Sequence, residues 1–274
     1  MTDTHAHLNF KRFAKNVDEV ISQAQQVGVT RIVVPGTDIK SSTKAVELSK
    51  QYKGVYAAIG IHPHHVFSIT YNVSSIKQTI DPIERLVIHP RIVAVGEIGL
   101  DKHVYEDTKY ENYHINDDFL MRQRELLIAQ LQLAIQYNKS VILHNREATD
   151  ELLELLNKNW NSHFEGRIVF HCCEPNKNLL EFAKKNNVFI GVDGDITYNK
   201  EKQTFIKEVP LNLLVLETDS PFLLPEPLRS QKKYPNEPKN IPIILSFIAN
   251  LVGAGERELE KQTDENAGRL FNLV

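Results

Sequence analysis

Thr2 to Leu8 reads TDTHAHL and sets two histidines, His5 and His7, at i and i+2 behind an aspartate. Alternate side chains of an extended strand share a face, so two imidazoles there point the same way and can grip one metal ion. Histidine is the commonest metal ligand. An isolated HxH is a weak signal, but it gains weight from what recurs later. Glu97, His144, His171 and Asp219 also stand at the C-terminal ends of short apolar runs, in VGEIG, SVILH, RIVFH and LLVLETD. Four imidazoles and two carboxylates are enough for two ions sharing a bridge. Such a pair stabilises the attacking and leaving oxygens of a phosphoryl displacement and lowers the pKa of a bound water.

The elements that must position these groups alternate. After the first run, helical periodicity covers residues 16–27, 41–51, 74–85, 119–137, 148–160, 178–185 and, weakly, 201–208. Between these helices lie apolar runs at 31–35, 55–61, 92–100, 140–143, 167–170, 188–192 and 213–216. Helices at 241–252 and 256–271 close the chain after a proline-rich, basic loop at 225–239. Eight strands alternating with helices mean a parallel sheet. Eight units in 274 residues predict a closed, distorted (β/α)8 TIM barrel with extra C-terminal helices, in a single domain spanning residues 1–274. In a barrel the C-terminal strand ends converge on one mouth, and five of the eight carry a ligand type.

Composition sets limits on function. The hydrophobic fraction of 42% supplies a core, and a net charge of −3 excludes a strongly basic nucleic-acid coat. Cys172 and Cys173 are adjacent, which makes a poor structural disulfide and suits a reducing compartment. No apolar run reaches membrane-spanning length, and no charged n-region with an apolar h-region opens the chain. The expectation is a soluble cytoplasmic protein with no membrane partner and no obligate protein partner.

THAHL, GIHPH, VGEIGLD, LHNREA, FHC, VLETDSP, NEP and ENAGRLF occur in this order. The ordered set resembles the TatD-like metal-dependent hydrolases, usually described as deoxyribonucleases, over nearly the whole chain. The resemblance implies a barrel of the amidohydrolase type with two divalent ions. His5, His7, Glu97 and Asp219 would hold one ion; Glu97 would bridge to a second held by His144 and His171. Glu97 then fills the role of a carbamylated lysine in related barrels, and residues 92–101 contain no lysine. Histidine ligation favours zinc, while phosphoryl chemistry often runs on magnesium or manganese. The implied activity is cleavage of DNA, most simply as a 3'-5' exonuclease on single-stranded ends.

Around this set, Asp219 is the candidate for proton transfer, with a ligand-only role as the alternative. Glu217, two residues back, should share its face as a supporting partner. His64 resembles a family residue at the substrate edge, and His65 is expected to face solvent. Arg146 could bind a phosphate bidentately or form a structural ion pair. Arg229, Lys232 and Lys233 follow the last strand and could steer a polynucleotide or be ordinary charged surface. The connection after Asp101 is long and acidic, with Glu106, Asp107, Glu111, Asp117 and Asp118 among Tyr105, Tyr110 and Tyr113. Its tyrosines could stack on bases, while its carboxylates would repel a phosphate backbone. After His171 the chain has CCEPN where the family commonly has Cys-Phe-Ser-Gly. D-aminoacyl-tRNA deacylation, or metal or nucleic-acid binding without turnover, are the alternative functions.

Overall fold

Eight parallel strands lie side by side in chain order. They are β1 (Thr2–Asp3), β2 (Arg31–Pro35), β3 (Val55–Ile59), β4 (Ile92–Asp101), β5 (Ser140–Arg146), β6 (Ile168–Phe170), β7 (Phe189–Val192) and β8 (Leu214–Leu216). The computed structural model describes residues 1–67, 76–106, 108, 110 and 113–273. Ser74 and Ser75, where the sequence pattern starts the third helix, lie outside the described residues, as do Asp107 and Glu111 of the acidic connection.

The barrel closes through a seam rather than a full ladder. Thr4 N donates to Leu216 O at 3.0 Å, Asp219 N to His5 O at 2.9 Å and His7 N to Ser220 O at 2.8 Å. The first strand is therefore shorter than Thr2–Leu8; beyond Asp3 only Ala6 bridges Ser220. The seam keeps His5 and His7 extended on one side, so their i, i+2 relation survives. It also ties His5 directly to Asp219 and His7 to Ser220 beside it.

Each strand is followed by helix. These are α1 (Val17–Gln26), α2 (Ile39–Gln51), α3 (Ile76–Val87), α4 (Asp117–Gln136), α5 (Thr149–Lys158), α6 (Lys177–Asn186) and α7 (Lys200–Ile206). Helix α2 shows how local sequence sets these starts. Asp38 Oδ1 accepts from Ser41 N at 2.7 Å while Ser41 Oγ accepts from Asp38 N at 2.9 Å, a reciprocal cap. Helices α8 (Ile241–Val252) and α9 (Glu256–Phe271) follow β8 with the bounds the periodicity predicts.

Because side chains alternate along a strand, one residue set fills the barrel and the other meets the helices. Val33, Ala58, Ala94, Ile142, Val169, Phe189 and Val215 form an interior layer, joined by Ala267, Leu270 and Phe271 of α9. The final helix thus plugs the N-terminal end. Two residues further along, the same face carries His144 after Ile142, His171 after Val169 and Glu217 after Val215. Packing at one end and polar chemistry at the other follow from a single register.

Candidate metal centre and cleft

Glu97 breaks that parity relative to Ala94. The β4–β5 register shifts between Val95 and Ile98, and the extra step turns Glu97 inward. The surrounding glycines make room. A Cβ on Gly99 (φ +155°) would lie 1.9 Å from the His144 carbonyl oxygen, and one on Gly191 would lie 2.5 Å from Glu217 Oε2.

Inside the mouth, nitrogen lone pairs and carboxylate oxygens converge. His5 Nε2 and His7 Nε2 are 3.1 Å apart. Glu97 Oε2 is 3.5 Å from each, and Asp219 Oδ1 is 3.7 Å from His5 Nε2 and 3.5 Å from His7 Nε2. Ligand atoms about 2.1 Å from a tetrahedral ion are spaced about 3.4 Å apart. The second oxygen, Glu97 Oε1, faces another group: His144 Nδ1 at 2.9 Å, His62 Nε2 at 3.4 Å and His171 Nε2 at 3.8 Å. His5, His7, His144 and His171 thus meet around the Glu97 carboxylate, and Asp219 joins them through His5 and His7, a donor set suited to divalent cations.

His62 is a seventh member that sequence reasoning left without a role. Two carboxylates orient the histidines from behind. Asp101 Oδ2 lies 3.1 Å from His144 Nε2, and Glu217 Oε1 lies 3.0 Å from His171 Nδ1. Such partners fix the ring and its tautomer. Glu217 takes the supporting position expected of it, whereas Asp101 was not foreseen. Asp3, fully buried, accepts from Thr218 Oγ1 at 2.7 Å, Thr218 N at 3.1 Å and His5 N at 3.2 Å. It locks the two strand ends that carry His5 and Asp219.

Burial and these pairings set the protonation of the cluster. Burial lowers His5, His7 and His62 and takes His171 down to about 4, leaving neutral imidazoles. Burial opposes a charged His144 too, but its bonds to Asp101 and Glu97 outweigh that and raise it to about 9. Glu97 is buried, which disfavours its charge, yet His62, His144 and His5 hold it well below the usual carboxylate range. Burial, then the charge of Glu97, pushes Asp219 well above that range. Asp219 also has a left-handed backbone (φ +50°), sparsely populated for a non-glycine residue and common at functional sites.

The TatD-related DNase family profile matches residues 2–272. The chain belongs to this family. It is 33% identical over 273 residues to the uncharacterized metal-dependent hydrolase YabD of Bacillus subtilis, covering 99% of this chain and 98% of the relative. It is 30% identical over 278 residues to the 3'-5' ssDNA/RNA exonuclease TatD of Escherichia coli, covering all of both chains. The crystal structure of YjjV, a TatD homologue from E. coli, superposes with a TM-score of 0.84 at 28% identity, covering 100% of this chain and 98% of that one. The chain is a metal-dependent hydrolase of the TatD-related kind.

In this TatD-related chain the cluster of histidines and carboxylates opens into a cleft of about 660 Å³, a size that holds small ligands. His64 and Arg146, the residues expected at the substrate, are among those that line it. Arg146 donates to Tyr105 Oη at 3.2 Å and lies over its ring at 5.1 Å. His65 departs from the sequence expectation of a solvent-facing residue: it is half-buried, with Nδ1 2.8 Å from Tyr110 Oη. Tyr105, Tyr110 and Tyr113 pack around His64 rather than standing free. Arg229 is not among the cleft-lining residues; it stacks on Tyr198 at 4.2 Å and pairs with Glu226 at 3.5 Å, on the rim. Lys232 and Lys233 are exposed beside it.

Proposed function

We propose that this chain is a 3'-5' exonuclease acting on single-stranded DNA ends with two divalent ions. The observation that carries this reading is the convergence of two ligand groups on the two oxygens of Glu97. His5, His7, Glu97 and Asp219 would hold one ion; Glu97, His144 and His171, with His62 alongside, would hold the other. Zinc, manganese or magnesium suits such a set. The ions, when bound, supply Lewis acidity that acidifies a water and offsets charge on phosphate oxygens. Asp219 orients the attacking water and accepts its proton. Arg146 and His64 bind the substrate beside the reacting phosphate. Arg229, Lys232 and Lys233 meet phosphates further along the strand.

The test is a 5'-labelled single-stranded oligonucleotide incubated with the protein and a divalent metal. Stepwise shortening that stops on adding chelator is expected. No shortening with zinc, manganese or magnesium would overturn the reading, and hydrolysis of a D-aminoacyl-tRNA instead would replace it. Among the described residues no helix is long and apolar enough to cross a membrane. Both cysteines are free thiols, which suits the cytoplasm.

Metal uptake should release a proton. His144, raised to about 9, keeps its proton at pH 7, and a ligand nitrogen must be deprotonated. Apparent affinity for the second ion should therefore rise roughly tenfold per pH unit and flatten above pH about 9. Calorimetric titration in buffers of different ionisation enthalpy measures this; uptake without proton release would contradict it.

The rim loop gives a separate expectation. Arg229→Ala, Lys232→Ala and Lys233→Ala together should raise KM for an oligonucleotide and flatten its salt dependence, by about 0.7 in log–log slope per lost phosphate contact. Hydrolysis of a small chromogenic phosphodiester should barely change. An unaltered salt slope would make the loop ordinary charged surface.

A further inference from the structure

The cleft has two unlike sides. Towards β3, β4 and β5 it is lined by His64, Tyr105 and Arg146; towards β6, β7 and β8 it is lined by Glu174, Asp195, Asn199 and Lys202. The second side contains a buried lysine, only 2% exposed. Its Nζ lies 2.7 Å from Asp195 Oδ1 and 3.3 Å from Asp193 Oδ2. One ammonium thus faces two carboxylates, and no positive charge remains there for a phosphate. Glu174 adds a further carboxylate to the lining. Asn199 Oδ1 already accepts from Glu201 N and Lys202 N, both at 3.1 Å, so its amide N–H2 is what it can offer a ligand. The segment is held in position from above. Glu226 N donates to Thr197 Oγ1 at 2.8 Å, and a Cβ on Gly194 would lie 2.0 Å from Leu223 O.

An acceptor carboxylate beside an amide donor suits a hydroxyl, which both donates and accepts. The same wall repels a second phosphate. We propose that Asp195, Asn199 and Lys202 form the subsite for the terminal sugar and make a free 3'-hydroxyl a requirement of the substrate. This inference rests on the 3'-5' exonuclease reading and extends it. The carboxylates of the wall exclude any phosphate beyond the scissile one, so cleavage is confined to chain ends. Lys202 acts as a positioning residue: its ammonium holds the Asp195 carboxylate at the wall.

Two 5'-labelled oligonucleotides of one sequence, ending in a 3'-hydroxyl or a 3'-phosphate, test this with the metal-loaded wild type. The 3'-hydroxyl form should be used about 100-fold better or more in kcat/KM, with the difference mainly in KM. Asp195→Asn removes a charge and keeps the shape; it should narrow the ratio to within about tenfold. Asn199→Lys adds an unmatched cation at a half-buried position and should narrow it further. Equal use of both ends by the wild type would overturn the proposal while the exonuclease reading stands. A wild-type ratio unchanged in both variants would locate the discrimination elsewhere and equally overturn it. Failure to shorten either oligonucleotide would overturn the exonuclease reading and this proposal with it.

Discussion

Glu97→Gln should lower turnover by at least about 10³-fold, or ~4 kcal/mol of barrier. The substitution keeps the side chain's size and its place at the β4 register shift. It removes the negative charge that faces His5 and His7 through one oxygen and His62, His144 and His171 through the other. An amide offers one weak acceptor where two cations need a shared anion, so metal content should fall with activity. The far-UV circular dichroism spectrum should be unchanged, because the barrel interior beneath Glu97 is an apolar layer in which it takes no part. Near-normal turnover in this variant would make Glu97 a structural residue.

Asp219→Asn should lower kcat by ~10²–10⁴-fold, the range of general acid–base catalysis. The seam bond from Asp219 N to His5 O uses the backbone and survives the change, and asparagine tolerates the left-handed conformation. The variant separates two roles. If Asp219 were only a ligand, raising the metal concentration would restore activity. As the proton acceptor it cannot be restored that way, and the rise of activity with pH that follows its deprotonation should vanish from the rate profile. Recovery of wild-type kcat at high metal would assign Asp219 to ligation alone.

The barrel and the convergence of the candidate ligands were legible because both follow from a short-range rule. Apolar runs bounded by turns mark strands, and the residue two positions past an interior-facing one shares its face. That relation leads from Ile142 to His144 and from Val169 to His171. It also leads from Ala58 through Gly60 to His62, so the register contained the signal for His62. Strand β3 ends at Ile59 rather than Ile61, however, and side-chain direction beyond a strand end depends on the turn that follows. Asp101 was hidden for another reason. It ends β4 after the register shift, and its pairing with His144 needs the β4–β5 alignment of Gly99 with His144 and Asp101 with Arg146, which one sequence cannot supply. Asp3 was visible as the residue before the HxH, but its bonds to Thr218 span 215 positions. Arg229 illustrates the converse. Following the last strand puts it near the mouth, but Tyr198 and Glu226 hold it on the rim. The lysine–aspartate wall across the cleft was invisible, since Lys202 sits on a weakly patterned helix and gains its meaning only from burial against Asp193 and Asp195.

The most direct test of a centre built on one shared carboxylate is the metal content of the saturated protein, measured per chain by inductively coupled plasma mass spectrometry after removal of free ion. Two ions per wild-type chain are expected, falling to one in His144→Ala and in His171→Ala. One ion in the wild type, or two retained in both variants, would contradict the shared-bridge centre.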